Sequence, residues 1–248
     1  MTLPFAMPRV IGHRGLGGLA PENTLPAFVA AQASGLRWVE LDAKLCSTGE
    51  VIVLHDNSVQ RTSNGHGRAA QMSWNQLQQL DAGAWFDRSF HGTRIPLLRE
   101  VLDYCCAHDM GINIELKPNP DQYSATANAV IGVLRAGNYP AKLPLLLSSF
   151  SLQSLRAAKR LAPELPRGLL LEHHTTLTLL RQKVCDVGAH SVHLNAQHLD
   201  LRTIAALRNE HLDVLAWTVN DERQAMAWYA HGVTAVFSDF PIVVTATD

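Results

Sequence analysis

The chain of 248 residues lacks the features that place proteins in several specialised classes. Lysine plus arginine (21 residues) nearly balance aspartate plus glutamate (22 residues), so the formal net charge of −1 gives no global field that would attract nucleic acid or an anionic membrane. The four cysteines form no C-x-x-C pair, and we interpret them as reduced, small apolar residues of a cytosolic protein. Because the net charge is close to zero, any affinity for anions must be local.

Targeting and membrane-spanning signals are also missing. The opening residues MTLPFAMPRVIGHRG contain no basic stretch followed by the long apolar stretch of a signal peptide. No apolar run approaches the roughly 18 residues of a membrane span. We therefore expect a cytoplasmic protein without a nucleic-acid partner or a stable membrane association. The sequence leaves its oligomeric state open.

Short apolar runs alternate along the chain with segments of helical periodicity. Near-continuous apolar strands joined by helices are typical of a parallel sheet covered by helices. About eight such units in about 250 residues predict an α/β fold, a (β/α)8 barrel. The predicted strands cover residues 9–13, 37–44, 51–55, 111–117, 144–149, 168–172, 191–195, 213–219 and 235–239.

Residues 57–95 interrupt this alternation and are too long for an ordinary βα loop. They contain glycine and asparagine turns and one predicted short helix near residues 73–80. We interpret them as a small subdomain, inserted after the strand of the second βα unit, that packs over one end of the barrel. The chain, residues 1–248, is expected to form a single domain with this insertion.

Three carboxylates lie on predicted strands that are otherwise mostly apolar. Glu40 and Asp42 are two residues apart, so their side chains share one face of a strand, and Glu115 lies on a later strand. Strand ends carry the catalytic side chains in such barrels. Three unpaired acids there would be costly, and Mg²⁺ or Ca²⁺ would neutralise them. The alternative is salt bridges without a metal, to Arg14, Arg37 and Lys117.

Histidines and cations accompany these acids at the predicted strand ends. His13 and His55 are suited to proton transfer near neutral pH. Arg14 and Lys117 add positive charge where a metal would already supply it, which favours a phosphate-bearing substrate. Residues 15–20 with Glu40 also fit a dinucleotide-binding pattern. That pattern requires a helix to begin within the glycine turn, whereas the predicted helix begins only at Thr24.

Segments spread in order over almost the whole chain resemble the glycerophosphodiester phosphodiesterases. The shortness of the chain and the segment PELPRGLLL look most like the cytoplasmic bacterial enzyme linked to glycerol-3-phosphate uptake. The segments are HRG (13–15), APENT (20–24), ELD (40–42), HD (55–56), RTSNGHG (61–67), LDAGAWF (80–86), IPLLREVL (95–102), ELK (115–117), LLSSFS (146–151), WTVND (217–221) and VFSDFP (236–241).

The resemblance implies a barrel with an inserted subdomain and metal-dependent hydrolysis of glycerophosphodiesters to sn-glycerol 3-phosphate and an alcohol. It does not say which histidine is the acid, or whether water or the glycerol 2-hydroxyl attacks. Trp217 is a candidate wall for the glycerol carbons, or else ordinary packing at the barrel mouth. The implied roles are metal ligands Glu40, Asp42 and Glu115, an acid–base pair His13 and His55, and phosphate contacts Arg14 and Lys117.

Two other functions compete with this reading. A barrel lyase or aldolase could use the acids to hold Mg²⁺ against an enolate, but it would not need both His13 and His55. A non-catalytic sensor of phosphate esters would be expected to lack a metal ligand or a histidine. All of the implied residues are present, so we favour the phosphodiesterase.

Overall fold

The computed structural model describes residues 3–173 and 175–242, and within these ranges strands and helices alternate. The strands are β1 (Val10–Gly12), β2 (Trp38–Leu45), β3 (Val51–Val53), β4 (Gly111–Leu116), β5 (Leu145–Ser149), β6 (Arg167–Leu171), β7 (Ser191–Asn195), β8 (Asp213–Trp217) and β9 (Ala235–Ser238). The α-helices are α1 (Leu25–Ala33), α2 (Trp74–Leu77), α3 (Leu98–Ala107), α4 (Tyr123–Ala136), α5 (Leu152–Leu161), α6 (Leu177–Val187), α7 (Leu201–Asn209) and α8 (Glu222–Ala230).

Eight parallel strands close into a barrel with helices between them, which confirms the predicted fold. The order around the barrel is β1-β2-β4-β5-β6-β7-β8-β9, and β1 closes the ring by pairing with both β2 and β9. The remaining strand, β3, pairs antiparallel with the end of β2 after a turn at residues 47–49 and lies outside the ring. All of the parallel strands point their carboxyl ends to the same side, where the predicted site residues collect.

The side chains of β2 alternate between two environments. Val39, Leu41 and Ala43 belong to the apolar layer between the sheet and its helices, which includes Phe28 of α1. Glu40 and Asp42 occupy the intervening positions and therefore face the barrel interior. The predicted shared face is thus the inward one, although all eight residues of β2 are buried.

One glycine of the barrel is required by a close approach. His193 of β7 is fully buried and its Nε2 lies 2.9 Å from the hydroxyl of Ser191. A Cβ at Gly168 of the neighbouring β6 would lie 2.4 Å from that same nitrogen, so only glycine fits there. Burial lowers the pKa of His193 to about 3, so its imidazole is neutral at ordinary pH.

Residues 57–95 lie between β3 and α3 and contribute to a separate apolar cluster, in which Leu77 is grouped with Ile52 of β3 and with Leu54. The helix predicted near residues 73–80 is present but shorter, since α2 ends at Leu77. Ser73 and Gln76 form a capping box that fixes its start. Beyond it, the Asp81 carboxylate accepts three backbone N–H groups and organises the following residues as a loop.

The position of α1 decides one further sequence-based alternative. Helix α1 begins at Leu25, well after the glycines at 15–18, so the dinucleotide-binding alternative is wrong. Among the residues described, no helix combines the length and the apolar character needed to cross a membrane.

Candidate active site

Three buried carboxylates meet inside the carboxyl end of the barrel. Asp42 of β2 stands directly opposite Glu115 of β4 in the strand register, and Glu40 precedes Asp42 on the same face. Each residue offers an oxygen, and these oxygens all lie within 4.8 Å of one another. The structure therefore brings together the three acids singled out in the sequence.

Two cations contact this cluster. Lys117 Nζ lies 2.9 Å from Glu115 Oε1 and 3.4 Å from Asp42 Oδ1. Arg14 Nε lies 3.5 Å from Asp42 Oδ2, and the backbone N–H of Arg14 donates to Glu40 Oε2 at 2.9 Å. Arg14 adopts a left-handed backbone conformation (φ 53°) that side-chain-bearing residues rarely use. The salt bridges expected as an alternative to a metal thus exist for these two cations.

Arg37, the third cation of that alternative, has no ion pair with the acids in the described structure. Its carbonyl accepts the backbone N–H of Gly111, at the opposite end of the barrel. Position explains the difference, because Arg37 lies before β2 begins, whereas Glu40 and Asp42 lie further along that strand and face the barrel interior. Lys44, the next inward residue of β2 after Asp42, donates to Asn57 Oδ1 at 2.8 Å.

The two contacting cations do not relieve the crowding of three buried acids. Burial, together with Asp42, raises the pKa of Glu40 well above its usual range and raises the pKa of Glu115 to about 7. Asp42 is different, because Lys117 and Arg14 outweigh the effect of burial and hold its pKa below the usual range. An all-oxygen donor set with surplus negative charge fits a hard divalent cation such as Mg²⁺ or Ca²⁺.

Each of the predicted histidines is backed by an aspartate. His13 follows β1, and its Nδ1 lies 2.7 Å from Asp239 Oδ1 beyond β9. His55 follows β3, and its Nδ1 lies 2.7 Å from Asp56 Oδ1. Carboxylates accept hydrogen bonds, so Nδ1–H donates in both pairs and Nε2 remains available for proton transfer.

The two histidine–aspartate pairs are held differently. Asn220 donates to Asp239 Oδ2 at 2.8 Å, a neutral contact. Asp56 is instead held by the guanidinium of Arg61, whose Nε lies 2.7 Å from Asp56 Oδ2. Burial lowers the pKa of His55, so this imidazole is neutral and can accept a proton near pH 7.

These groups border a cavity of about 300 Å³ with two unlike sides. Phe150 and Trp217 meet edge to face, with ring centroids 5.5 Å apart. Asp42 lies behind the cavity rather than on its surface. The charged wall consists of His13, Arg14, Glu40, His55, Glu115 and Lys117, and the apolar wall of Phe150, Leu170, Trp217 and Phe237. Trp217, singled out in the sequence, therefore lines the same cavity as the charged residues.

Sequence reasoning missed several residues that hold the site in place. Asn23 donates to Asp42 Oδ2 at 2.8 Å and accepts the Asp42 backbone N–H at 3.2 Å. Asn113, opposite Glu40 in the strand register, lines the cavity with a buried Oδ1 that has no protein partner in the described structure. Asn23 lies within the APENT segment, which contributes to the family resemblance, but the resemblance assigned no role to this residue.

Comparisons with known proteins agree with this geometry. The chain is 31% identical to a glycerophosphodiester phosphodiesterase of Caldanaerobacter subterraneus, covering 94% of each chain. A solved Oleispira antarctica phosphodiesterase, in complex with the product sn-glycerol-3-phosphate, is 35% identical with a TM-score of 0.91, over 95% of this chain and 94% of that one. A glycerophosphodiester phosphodiesterase from Agrobacterium tumefaciens is 25% identical with a TM-score of 0.78, over 95% of this chain and 97% of that one.

The family model for glycerophosphoryl diester phosphodiesterases matches residues 13–243, nearly the whole chain. The match begins at His13 and includes every residue of the charged wall. Family model, relatives and solved structures all indicate an enzyme that cleaves phosphodiesters. The chain belongs to the glycerophosphoryl diester phosphodiesterase family.

Proposed function

We propose that this enzyme hydrolyses glycerophosphocholine, glycerophosphoethanolamine, glycerophosphoglycerol and similar diesters to sn-glycerol 3-phosphate and an alcohol. One observation carries the proposal: two aspartate-backed histidines and two cations border a cavity that is also lined by Glu40 and Glu115 of the three clustered carboxylates. A phosphodiester needs charge neutralisation and two proton transfers, and the cavity offers groups for each. The bound product of the Oleispira antarctica relative supports the glycerol 3-phosphate end of the substrate.

Charge counting favours a divalent ion in the site. Glu40, Asp42 and Glu115 carry three negative charges when ionised, and the contacting Arg14 and Lys117 carry two positive charges. A bound Mg²⁺ or Ca²⁺ would leave this group with one positive charge, which matches the single negative charge of a phosphodiester. The three acids would hold the ion, which supplies Lewis-acid stabilisation of the charge on the phosphoryl oxygens.

The residues of the chain account for the remaining steps. Arg14 and Lys117 bind the non-bridging phosphoryl oxygens and orient the phosphorus toward the histidines. One histidine takes a proton from the attacking hydroxyl as its oxygen bonds to phosphorus. The other gives its proton to the departing alcohol oxygen as the second P–O bond breaks. When water attacks, one histidine gains the proton that water loses, and the other histidine loses the proton that the alcohol gains. Proton exchange with solvent then returns both histidines to their starting states.

Two details of this scheme remain open predictions. The Nδ1 atoms of His13 and His55 each lie 2.7 Å from an aspartate oxygen, so the geometry allows either histidine to serve as the base. The attacking hydroxyl is that of water or the 2-hydroxyl of the glycerol moiety, and the second choice forms a cyclic phosphate before hydrolysis. Trapping a cyclic glycerol phosphate early in a time course would identify the second route, whereas direct release of sn-glycerol 3-phosphate would identify the first.

The activity is tested by incubating the purified protein with glycerophosphocholine and metal and assaying sn-glycerol 3-phosphate. EDTA should abolish the activity, and Mg²⁺ or Ca²⁺ should restore it. Full activity in metal-free, EDTA-treated protein would overturn the metal-dependent mechanism, and absence of product with both ions would overturn the substrate assignment. A cytoplasmic location stays a prediction that cell fractionation can check.

A further inference from the structure

A continuous chain of ion pairs at the rim of the site passes through a residue of the insertion. Arg61 donates from Nε to Asp56 Oδ2 at 2.7 Å and from Nη2 to Asp56 Oδ1 at 3.0 Å. The same guanidinium donates from Nη1 to Glu22 Oε2 at 2.7 Å and from Nη2 to Glu22 Oε1 at 2.8 Å. One side chain thus binds two carboxylates, each through both of its oxygens.

Each of these carboxylates also holds a residue of the charged wall. Asp56 Oδ1 accepts from His55 Nδ1 at 2.7 Å, and Glu22 Oε1 accepts from Arg14 Nη1 at 2.7 Å. One carboxylate therefore connects Arg61 to His55, a proposed proton-transfer group, and a second carboxylate connects it to Arg14, a proposed phosphate contact. It touches neither the cavity nor the three clustered acids.

An ordinary surface ion pair is the alternative, and isolated pairs of that kind contribute little to stability. The side chain of Arg61 is 44% exposed, but those of its partners are better covered, at 13% for Glu22 and 27% for Asp56. The planar fork of arginine fixes the orientation of a carboxylate as well as its charge. Arg61 also holds the pKa of Asp56 below its usual range, which keeps this carboxylate an acceptor for His55.

The three partners come from separate segments of the chain. Glu22 lies between β1 and α1, Asp56 follows β3, and Arg61 belongs to the insertion. Without the guanidinium, two neighbouring carboxylates would face each other with less counter-charge and would turn apart, and their hydrogen-bonded partners would follow. We propose that Arg61 is a positioning residue for the proposed hydrolysis, because it orients His55 through Asp56 and Arg14 through Glu22.

This inference rests on the proposed role of His55, so the test combines the two residues. Arg61→Ala should lower kcat on glycerophosphocholine about 10- to 100-fold, the usual loss when a partner that orients a functional ligand is removed. In a His55→Ala background the same change should lower kcat less than about 3-fold, since there is no imidazole left to orient and the loss of Arg14 positioning should appear mainly in KM. Groups that act as a unit give such non-additive losses.

The matched control is Arg88→Ala, another exposed arginine of the insertion, whose side chain makes no ion pair in the described structure. It should keep kcat within about 2-fold. An equal loss from Arg61→Ala in the wild-type and His55→Ala backgrounds would overturn the inference alone. Wild-type kcat in His55→Ala itself would overturn the proposed mechanism, and the positioning role with it.

A second variant keeps the test decisive if Arg61→Ala does not fold. Arg61→Lys retains the charge without the fork, so it should fold and show a smaller kcat loss that again shrinks in the His55→Ala background. Unchanged kcat in a folded Arg61→Lys protein, checked by thermal melting, would contradict the need for a two-carboxylate clamp. The orientation of Arg14 through Glu22 is tested separately, because Glu22→Gln should raise KM more than it lowers kcat.

Discussion

The two walls of the cavity are built on different physical principles. Residues of the charged wall are fixed by short, directional contacts, such as Lys117 to Glu115 at 2.9 Å and His13 to Asp239 at 2.7 Å. The apolar wall has ring and aliphatic surfaces, and Phe150 remains 38% exposed. Directional contacts hold chemical groups to a fraction of an ångström, whereas apolar surfaces accept molecules of varied shape.

This contrast suggests where reaction and substrate tolerance reside. In the proposed mechanism, the charged wall recognises what all glycerophosphodiesters share, the phosphate and the two ester oxygens. The apolar wall contacts carbon, and it carries no charged side chain of its own, although the exposed Glu172 lies at the cavity rim. Changes to the charged wall should therefore be far more damaging than changes to the apolar wall.

The largest loss of activity should come from substitutions of the clustered carboxylates. Glu40→Gln, Asp42→Asn and Glu115→Gln each remove a charged ligand of the proposed ion, so we expect turnover to fall at least about 1,000-fold, with several kcal/mol of transition-state stabilisation lost. Steady-state kinetics and Mg²⁺ titration calorimetry measure the two consequences. A variant that kept both turnover and metal affinity would remove its residue from the ligand set.

The histidines should produce the next largest effect. His13→Ala and His55→Ala should each reduce kcat by about 10² to 10⁴ while the protein stays folded and keeps its metal. A p-nitrophenyl ester needs little protonation on departure, so it should rescue only the variant that lacks the general acid. Equal rescue of both variants, or near wild-type kcat in either, would contradict the two-histidine assignment.

A third test concerns the stability of the metal-free protein. The pKa of Glu115 is about 7 in the folded chain and near 4.5 in the unfolded one, so the folded state binds its proton more tightly. This contribution to stability is fully present below pH 4.5 and is lost as the pH rises through 7, at about 1.4 kcal/mol per pH unit. In EDTA, the melting temperature of Glu115→Gln should exceed that of the wild type by a margin that grows between pH 5 and pH 8. The melting temperature of the control Glu164→Gln, at an exposed position, should show no such growing margin.

The apolar wall should give the smallest effect. Trp217→Ala should raise KM about 10-fold and change kcat less than about 3-fold, because it removes apolar contact without touching the charged groups. The loss should be similar for glycerophosphocholine, glycerophosphoethanolamine and glycerophosphoglycerol if Trp217 faces the glycerol moiety that they share. A large loss for one head group alone would instead place this ring beside the departing alcohol.

Sequence reasoning succeeded where one repeating geometry decides position. The period of two along a strand put Glu40 and Asp42 on one face, and the parallel barrel gathered strand ends at one mouth. It failed for Arg61, whose partners Glu22 and Asp56 come from separate loops, because no period links side chains across irregular segments. Periodicity also could not show that β3 lies outside the ring, since a three-residue apolar strand looks alike in either setting.

The hydrogen bond between His13 and Asp239 joins residues 226 positions apart, across the β1–β9 pair that closes the barrel. A ribosome makes the histidine first and its aspartate partner only after more than two hundred further residues. Nascent chains fold from the amino-terminal side as they emerge, so catalytic competence should arrive in one late step, when the last strand docks. A growing chain would then be unable to attack cellular phosphodiesters until Asp239 has been made and β9 has docked on β1.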